Sequence, residues 1–168
     1  MRILDDNPTL FDAGHSISAD TFREVLRRAQ SPAFPEVEAL LAACDYWNAD
    51  RGIALAFFAK ESRYGTRGVA VRTRNWGNLR RGKRMIAQTR HPFAVYATWT
   101  DGLNDWCELL KEHYCKRRGL CHLREILQRY APSSDGNNPK RYADFVIAAV
   151  RLWQIQEGDA NNASQKSE

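Results

Sequence analysis

The sequence predicts a single α+β domain in which helices dominate. The chain has 168 residues, of which 43% are hydrophobic, and this is enough apolar material for one compact domain of ordinary size. Apolar residues recur at helical spacing through most of the chain. Between residues 69 and 97 that spacing disappears, and short β-prone runs alternate with glycine and proline. We therefore expect a helical body that carries one small lobe of strands and loops.

The helical body is expected to follow an extended arm. Residues 1–17 mix Asp, Asn, Pro, Gly and Ser with scattered apolar residues, which is typical of irregular chain. Capping residues at 18–20 then precede apolar residues at helical spacing, so a first helix is expected from there. Pro35 suits the first turn of a second helix that extends to about Trp47.

The segment 53–62, IALAFFAKES, predicts a buried central helix. It is apolar on nearly every side until Lys60, and a helix that is apolar all round belongs inside a protein. Gly65 follows where it could cap the C-terminus of this helix. Glu61 therefore falls in the last turn of the helix that we place at the centre of the domain.

The remaining segments complete a domain that we take as residues 18–157. The β-prone runs of the small lobe lie at 69–73, 85–89 and 93–98. Helical spacing returns over 101–116, 123–130 and 139–156. The last residues, 158–168, are polar and predict a frayed tail.

Positive charge is concentrated in the predicted β-lobe. Residues 62–100 hold nine Lys or Arg and no Asp or Glu, although the whole chain has a formal net charge of only +5. Removing these nine from the 25 basic residues leaves 16 against 20 acidic residues, so the rest of the chain carries −4. The protein is therefore a segment of charge +9 set into a mildly acidic body.

The cysteines allow several states. There are four of them: Cys44, Cys107, Cys115 and Cys121. Their even number permits two disulfides, whose connectivity cannot be read from the spacing. His113 and His122 lie among the last three, so a zinc site is conceivable, but the spacing matches none of the usual Cys-x2-Cys patterns. We therefore favour buried thiols or disulfides over a metal site.

Glu61 is the residue that most suggests chemistry. Its helix is apolar, which disfavours a charged carboxylate, and the negative end of the helix dipole acts in the same direction. Both effects raise the pKa of the side chain, and a raised pKa suits a general acid near neutral pH. The alternative is an exposed glutamate at the helix end, paired with Lys60 or Arg63.

Four blocks of sequence carry a family resemblance. They are AKESRYGT at 59–66, TRNWGNLR at 73–80, FAVY with WTDGL at 93–103, and YAPSSDGNN at 130–138 followed by Tyr142. In this order the blocks resemble the lysozyme-like glucosaminidases of glycoside hydrolase family 73 and their relatives. There, a Glu-Ser pair ends the central helix, a Gly-Thr turn follows, and an Asn-containing loop leads into a β-lobe. We take the resemblance to extend over roughly residues 20–153.

The resemblance implies a lysozyme-like fold in which a glycan groove lies between the helical body and the β-lobe. The implied activity is hydrolysis of β-1,4 bonds in peptidoglycan, as an endo-β-N-acetylglucosaminidase. Glu61 matches the catalytic acid, and Tyr142 matches the aromatic hydroxyl at the reaction centre. Asn75, Asn78 and Tyr96 fall where the groove is built. The residues expected to bind substrate are Asn75, Trp76, Asn78, Tyr96 and Asp101. Alternatives are a muramidase or lytic transglycosylase on the same polymer and, in another class, a non-catalytic module that binds wall glycan.

The acid-free β-lobe bears on the mechanism. Two-carboxylate glycosidases place a second Asp or Glu about 5 to 9.5 Å from the acid, and many members of the family have that residue in the β-lobe. Here three mechanisms stay open: Asp101 could orient water, the substrate's N-acetyl group could act as nucleophile, or Glu61 could act alone as in goose-type lysozymes and lytic transglycosylases. We favour the latter two, because Asp101 suits the first turn of a helix.

The tryptophans divide into core and loop positions. Trp47, Trp106 and Trp153 have apolar partners at helical spacing and are expected in the core. Trp76 stands between Asn75 and Gly77 in a loop, and we expect it to stack on a sugar ring.

The charge pattern and the family resemblance indicate the partner. Nucleic acid and the bacterial wall, with its stem-peptide carboxylates and phosphate polymers, would both attract the basic lobe. Because no nucleic-acid-binding motif accompanies the charge, we favour peptidoglycan, and with it anionic wall polymers, as the partner. We also expect a monomer that has no cofactor. The start of the chain lacks the apolar core of a secretory signal. A phage-encoded lysin and a domain of a larger secreted protein both fit this pattern.

Overall fold

The protein is mainly helical. A computed structural model describes residues 2–165, with 59% helix and 5% strand, which confirms the predicted α+β class with helices dominant. The helices are α1 Ala19–Arg28, α2 Val37–Trp47, α3 Arg51–Ser62, α4 Ala70–Thr73, α5 Trp99–Glu108, α6 Leu123–Tyr130 and α7 Pro139–Gln165. The strands β1 Ala87–Gln88 and β2 Ala94–Val95 pair antiparallel, Ala87 opposite Val95 and Gln88 opposite Ala94.

Side-chain caps set the starts of helices α1 and α3. Ser18 accepts a hydrogen bond from the Thr21 amide at the start of α1, 3.1 Å away. Asp50 accepts one from the Ile53 amide at the start of α3, at 3.0 Å. These polar side chains satisfy amides that have no partner within the helix.

The helix α3 forms the centre of the core, as predicted. Every residue of α3 from Gly52 to Ala59 is buried, and α3 packs against α7, α1 and α2. The helix stops at Arg63, which adopts the left-handed conformation at φ 47°. Gly65 is also left-handed, at φ 79°, so the predicted cap lies two residues beyond the actual one.

The two ends of the described chain pack against the body. The arm is extended, and it buries Leu4, Leu10, Phe11 and Ile17 in the core. At the other end α7 passes residue 156, where the sequence pattern predicted its end, and continues to Gln165. Glu157 in this extension accepts a hydrogen bond from the amide of Ser18. Residues 166–168 of the predicted tail lie outside the described residues.

The β-lobe is smaller than predicted. Two of the three β-prone runs contain the strands. The prediction of a strand at 69–73 is wrong, because this run forms the short helix α4. The Thr73 hydroxyl donates to the Val69 carbonyl, 3.0 Å away, and closes this turn. Arg74 then ends it in the left-handed conformation. The helix predicted over 101–116 has two parts. The α-helix α5 ends at Glu108, and the chain continues as a π-helix over Leu109–Lys116.

The cysteines adopt both of the favoured states. Cys115 and Cys121 form a disulfide, whereas Cys44 and Cys107 are buried free thiols. Burial raises the pKa of the Cys44 thiol to about 12, so this thiol is unreactive at neutral pH. Among residues 2–165 no cluster of three or more His, Cys, Asp or Glu is arranged to hold a metal ion. No helix in the same range is both long and apolar enough to span a membrane.

Candidate active site

Glu61 is held by two hydrogen bonds at the end of α3. The Tyr142 hydroxyl on α7 donates to Glu61 Oε1 at 2.5 Å. The side-chain amide of Asn78 donates to Glu61 Oε2 at 2.8 Å. No ion pair of Glu61 is found in the described part of the chain, so the alternative of a helix-end glutamate paired with Lys60 or Arg63 does not hold.

Burial of Glu61 controls its protonation. Desolvation is the largest effect and raises the pKa of the carboxyl group. The hydrogen bonds from Tyr142 and Asn78 and the charge of Lys60 act in the opposite direction, but they do not cancel it. The net pKa therefore lies above the ordinary value for glutamate, and the group retains its proton at a higher pH than a surface glutamate.

Aromatic packing positions the Tyr142 hydroxyl. Tyr142 is buried, and its ring lies against Phe57 of α3 with the centroids 5.2 Å apart. Desolvation and the neighbouring Glu61 carboxylate raise the pKa of Tyr142 well above its ordinary value. The phenol therefore stays protonated and acts as a donor to Glu61 across the working pH range.

A tight loop positions Asn78. Asn78 is left-handed at φ 53°, a conformation that Asn tolerates better than most residues. One residue earlier, the Gly77 carbonyl accepts a hydrogen bond from the Tyr130 hydroxyl. A Cβ at Gly77 would collide with both Tyr130 and Trp106. Only glycine thus allows this loop to lie so close to the helical body.

The three residues line one cleft. Its volume is about 490 Å³, and Glu61, Asn78 and Tyr142 lie in its wall. Leu79 and Phe93 bring the β-lobe to one side of the cleft, and residues of the 130–137 segment and α7 form the other. A carboxyl group of raised pKa, faced by a cleft of this size, can protonate an oxygen of a bound molecule.

A larger pocket elsewhere lacks these features. It has a volume of about 680 Å³ and lies between α1 and α7. Its Glu24 carboxylate is neutralised by Arg27 and Arg28 at 2.7 and 2.5 Å, and these ion pairs lower the pKa of the carboxyl group. A carboxylate held ionised by exposed arginines cannot serve as a general acid, so the chemistry favours the Glu61 cleft.

Asn75 is structural, which corrects the prediction that it contacts substrate. Its side chain is fully buried. Its amide nitrogen donates to the carbonyls of Leu79 and Ala94 at 2.7 and 2.9 Å, and its oxygen accepts from the Leu79 amide at 2.8 Å. Asn75 thus closes the loop that carries Asn78 and ties it to β2.

Trp76 and Tyr96, the two aromatic residues predicted to contact the glycan, are also buried. Trp76 is 0% exposed, stacks on Phe58 with centroids 4.0 Å apart, and donates to the Ala54 carbonyl at 3.1 Å. Tyr96 is likewise 0% exposed. The prediction that these rings reach the glycan is wrong for this structure, because both anchor the β-lobe to the body.

Asp101 lies in the first turn of α5, which Thr98 caps. Its amide donates to the Thr98 hydroxyl at 3.0 Å, and that hydroxyl donates to the Asp101 carboxylate at 2.8 Å. Asp101 therefore secures the start of α5, as its place in the first helical turn favoured. It is not part of the cleft wall, so its assignment to substrate binding is not supported.

The cleft includes polar residues that sequence reasoning missed. Asp135 and Asn137 follow α6 in the 130–138 segment, and Arg80 lies on the β-lobe side. Asp135 is exposed, and among residues 2–165 its one side-chain hydrogen bond comes from Ser134 at 3.3 Å. The family-like block YAPSSDGNN contains both Asp135 and Asn137, but only the tertiary fold brings that block into the same cleft as Glu61.

Comparison with known proteins supports the fold and no more. No protein-family model matches the chain, and no curated protein matches it. A chain in the structure of a type VI secretion system effector–immunity complex from Pseudomonas protegens is similar, with a TM-score of 0.53 and 19% identity. The match covers 83% of this chain and 95% of that chain. At this identity the similarity concerns the arrangement of the helices and the small sheet.

Proposed function

We propose that the protein is a glycoside hydrolase that cleaves β-1,4 bonds of bacterial peptidoglycan, with Glu61 as general acid. The observation that carries the proposal is the Glu61 carboxyl group, desolvated at the end of a buried helix and held toward a cleft by Tyr142 and Asn78. A raised pKa keeps the proton available for the glycosidic oxygen. The bacterial cell wall would be the place of action.

A lysozyme-like arrangement fits these elements. The helical body contributes Glu61 from α3 and Tyr142 from α7, and the β-lobe contributes Asn78 across the cleft. The family resemblance in the sequence joins the same three residues. We favour endo-β-N-acetylglucosaminidase activity on this basis, and treat muramidase activity as the alternative on the same polymer.

Asp135 supplies a candidate for the second catalytic group. Between residues 62 and 100 the β-lobe has no carboxylate, but Asp135 lines the cleft from the side of the helical body. In hydrolysis, Glu61 would give its proton to the leaving oxygen while Asp135 took a proton from the attacking water. The water oxygen would then bond to the anomeric carbon as the bond to the leaving sugar broke.

Replacement of Asp135 tests this assignment. Asp135→Asn should lower kcat roughly 10²–10⁴-fold if the carboxylate acts as the base. A loss of less than about tenfold would instead favour the substrate's N-acetyl group as nucleophile or transglycosylation, neither of which needs a second carboxylate. In transglycosylation the sugar's own hydroxyl attacks, and a 1,6-anhydro product forms.

The main test is the lysis of purified peptidoglycan sacculi. Glu61→Gln keeps the size and hydrogen-bonding capacity of the side chain but removes the transferable proton, so turbidity loss should stop. Glu38→Gln is the matched control, because Glu38 is exposed on α2 and its one ion pair in the described part of the chain is with surface Arg23. Lysis by the Glu61→Gln variant would refute the assignment. Sacculi that bind wild-type protein without losing turbidity would indicate a non-catalytic binding module.

A further inference from the structure

A second pocket opens on the β-lobe beside the proposed active site. It has a volume of about 570 Å³ and lies between α4 and the turn that joins β1 to β2. Arg72 of α4 and Arg90 and His91 of the turn lie in its wall, and Val69 and Val95 contribute apolar surface. The pocket therefore combines two permanent positive charges and an imidazole with an apolar floor.

The arginines of this pocket have no acidic partner. In the acid-free segment 62–100, Lys83 and Arg84 pair with Glu108 and Asp105. For the other seven basic residues of that segment, all within the described chain, no ion pair is found, and Arg72 and Arg90 are among them. Concentrated positive charge without compensation raises the free energy of the isolated protein, and a bound anion would relieve it.

The turn that carries Arg90 and His91 is ordered by its own hydrogen bonds. The Thr89 amide donates to the Phe93 carbonyl at 2.9 Å, and the Phe93 amide donates to the Thr89 hydroxyl at 3.2 Å. The Thr89 hydroxyl in turn donates to the His91 carbonyl. A turn fixed in this way holds the backbone of Arg90 on the same pocket as Arg72 of α4 before a ligand arrives, which lowers the entropic cost of binding.

The pocket adjoins the Glu61 cleft. Phe93 lies in the walls of both, so a polymer that occupies the cleft would bring its substituents to the pocket. Arg80, for which the described residues provide no acidic partner either, lies in the cleft itself. The positive surface thus runs from the reaction centre toward the tip of the β-lobe.

We propose that this pocket binds a carboxylate of the peptide stems that branch from the glycan strand. The proposal rests on the proposed function and specifies the substrate as glycan that still carries its peptides. Planar guanidinium groups pair well with carboxylates through two parallel hydrogen bonds. The apolar floor at Val69 and Val95 can accommodate the aliphatic part of a short peptide beside that carboxylate.

The test measures binding in the Glu61→Gln background, so that the wall stays intact. Sedimentation with sacculi gives the dissociation constant, on intact sacculi and on sacculi from which an amidase has removed the stem peptides. The double variant Arg72→Gln/Arg90→Gln should bind intact sacculi about tenfold more weakly, since two charge-assisted contacts are lost. On stripped glycan it should bind as the parent does. Arg117→Gln/Arg118→Gln, which removes two exposed charges elsewhere, is the matched control and should retain affinity.

Several results would overturn the proposal. Equal weakening by the control pair would reduce the effect to net charge. Equal weakening on stripped glycan would assign the arginines to the glycan strand itself, including the lactyl carboxylate that the amidase leaves on it. An effect confined to walls with attached phosphate polymers would assign the pocket to phosphate, and no effect would leave it without an anionic ligand. Failure of the proposed function can be told apart from failure of this proposal. If the proposed function is wrong, wild-type protein leaves the sacculi intact, and this result does not depend on how the arginine variants bind.

Discussion

Removal of the Tyr142 hydroxyl should shift the pH dependence of activity in a defined direction. Tyr142 donates to Glu61 Oε1 and thereby stabilises the ionised carboxylate, so its hydroxyl lowers the pKa of Glu61 below the value that burial alone would impose. Tyr142→Phe keeps the ring on Phe57 and removes only this donor. A general acid works while it is protonated, and activity therefore falls as pH rises through its pKa. The variant should remain active to higher pH than the wild type.

The size of the effect follows from the strength of one charge-assisted hydrogen bond. Such a bond contributes about 1.5–3 kcal/mol, which corresponds to a change in the acid dissociation constant of Glu61 of roughly tenfold to hundredfold. The assay is the pH profile of kcat/KM, together with a carbon NMR titration of the labelled Glu61 carboxyl group, which reports even where activity is low. Tyr46→Phe, on an exposed tyrosine, is the control. An alkaline limb that stays in place or moves to lower pH would refute the reasoning.

Two further predictions concern stability. Asn75→Ala removes three buried hydrogen bonds, worth about 3 kcal/mol in total, so thermal unfolding should show a Tm lower by roughly 6–12 °C; an unchanged Tm would contradict the structural role, and Asn162→Ala on the exposed face of α7 is its control. Glu61→Gln should raise the Tm at neutral pH, because the pKa of the desolvated Glu61 carboxyl group is higher in the folded wild type than in the unfolded chain. That gain should vanish below about pH 4, where glutamate is protonated in both folded and unfolded chains, and a gain independent of pH would count against a raised pKa.

The central helix and Glu61 could be predicted because their signal is local. An almost continuous apolar run has only one stable location, the core, and a carboxyl group in its last turn must then be desolvated. The sequence also contained Tyr142 and Asn78 within family-like blocks. Their joint contact with Glu61, over separations of 81 and 17 residues, depends on the packing of α7 and the β-lobe on α3.

The misassigned residues share a physical reason. Asn75, Trp76 and Tyr96 have polar atoms suited to sugars, and they lie in a segment without periodicity, so the sequence does not tell which way they face. In the fold Asn75 and Trp76 donate to backbone carbonyls of the core instead. The run at 69–73 is β-branched and reads as a strand, yet the hydrogen bond from Thr73 to Val69 and the left-handed Arg74 make it a helical turn.

Asp135 shows the opposite case. It lies in a polar loop whose composition predicts only irregular chain, and nothing in its neighbours distinguishes it from a solvated surface residue. Its candidate role arises from the cleft it shares with Glu61. Tertiary folds bring such loop residues together with the reacting group, which is why binding and catalytic residues are so often found on loops.

The most direct test of the central claim is mass spectrometry of the products released from purified sacculi by wild-type protein and by Glu61→Gln. Products with a reducing-end N-acetylglucosamine, present with the wild type and absent with the variant, are the result we predict. A reducing-end N-acetylmuramic acid would keep Glu61 as the acid but make the protein a muramidase, and a 1,6-anhydro product would make it a lytic transglycosylase. The same products from both proteins, or none from the wild type, would contradict the claim that Glu61 cleaves this glycan.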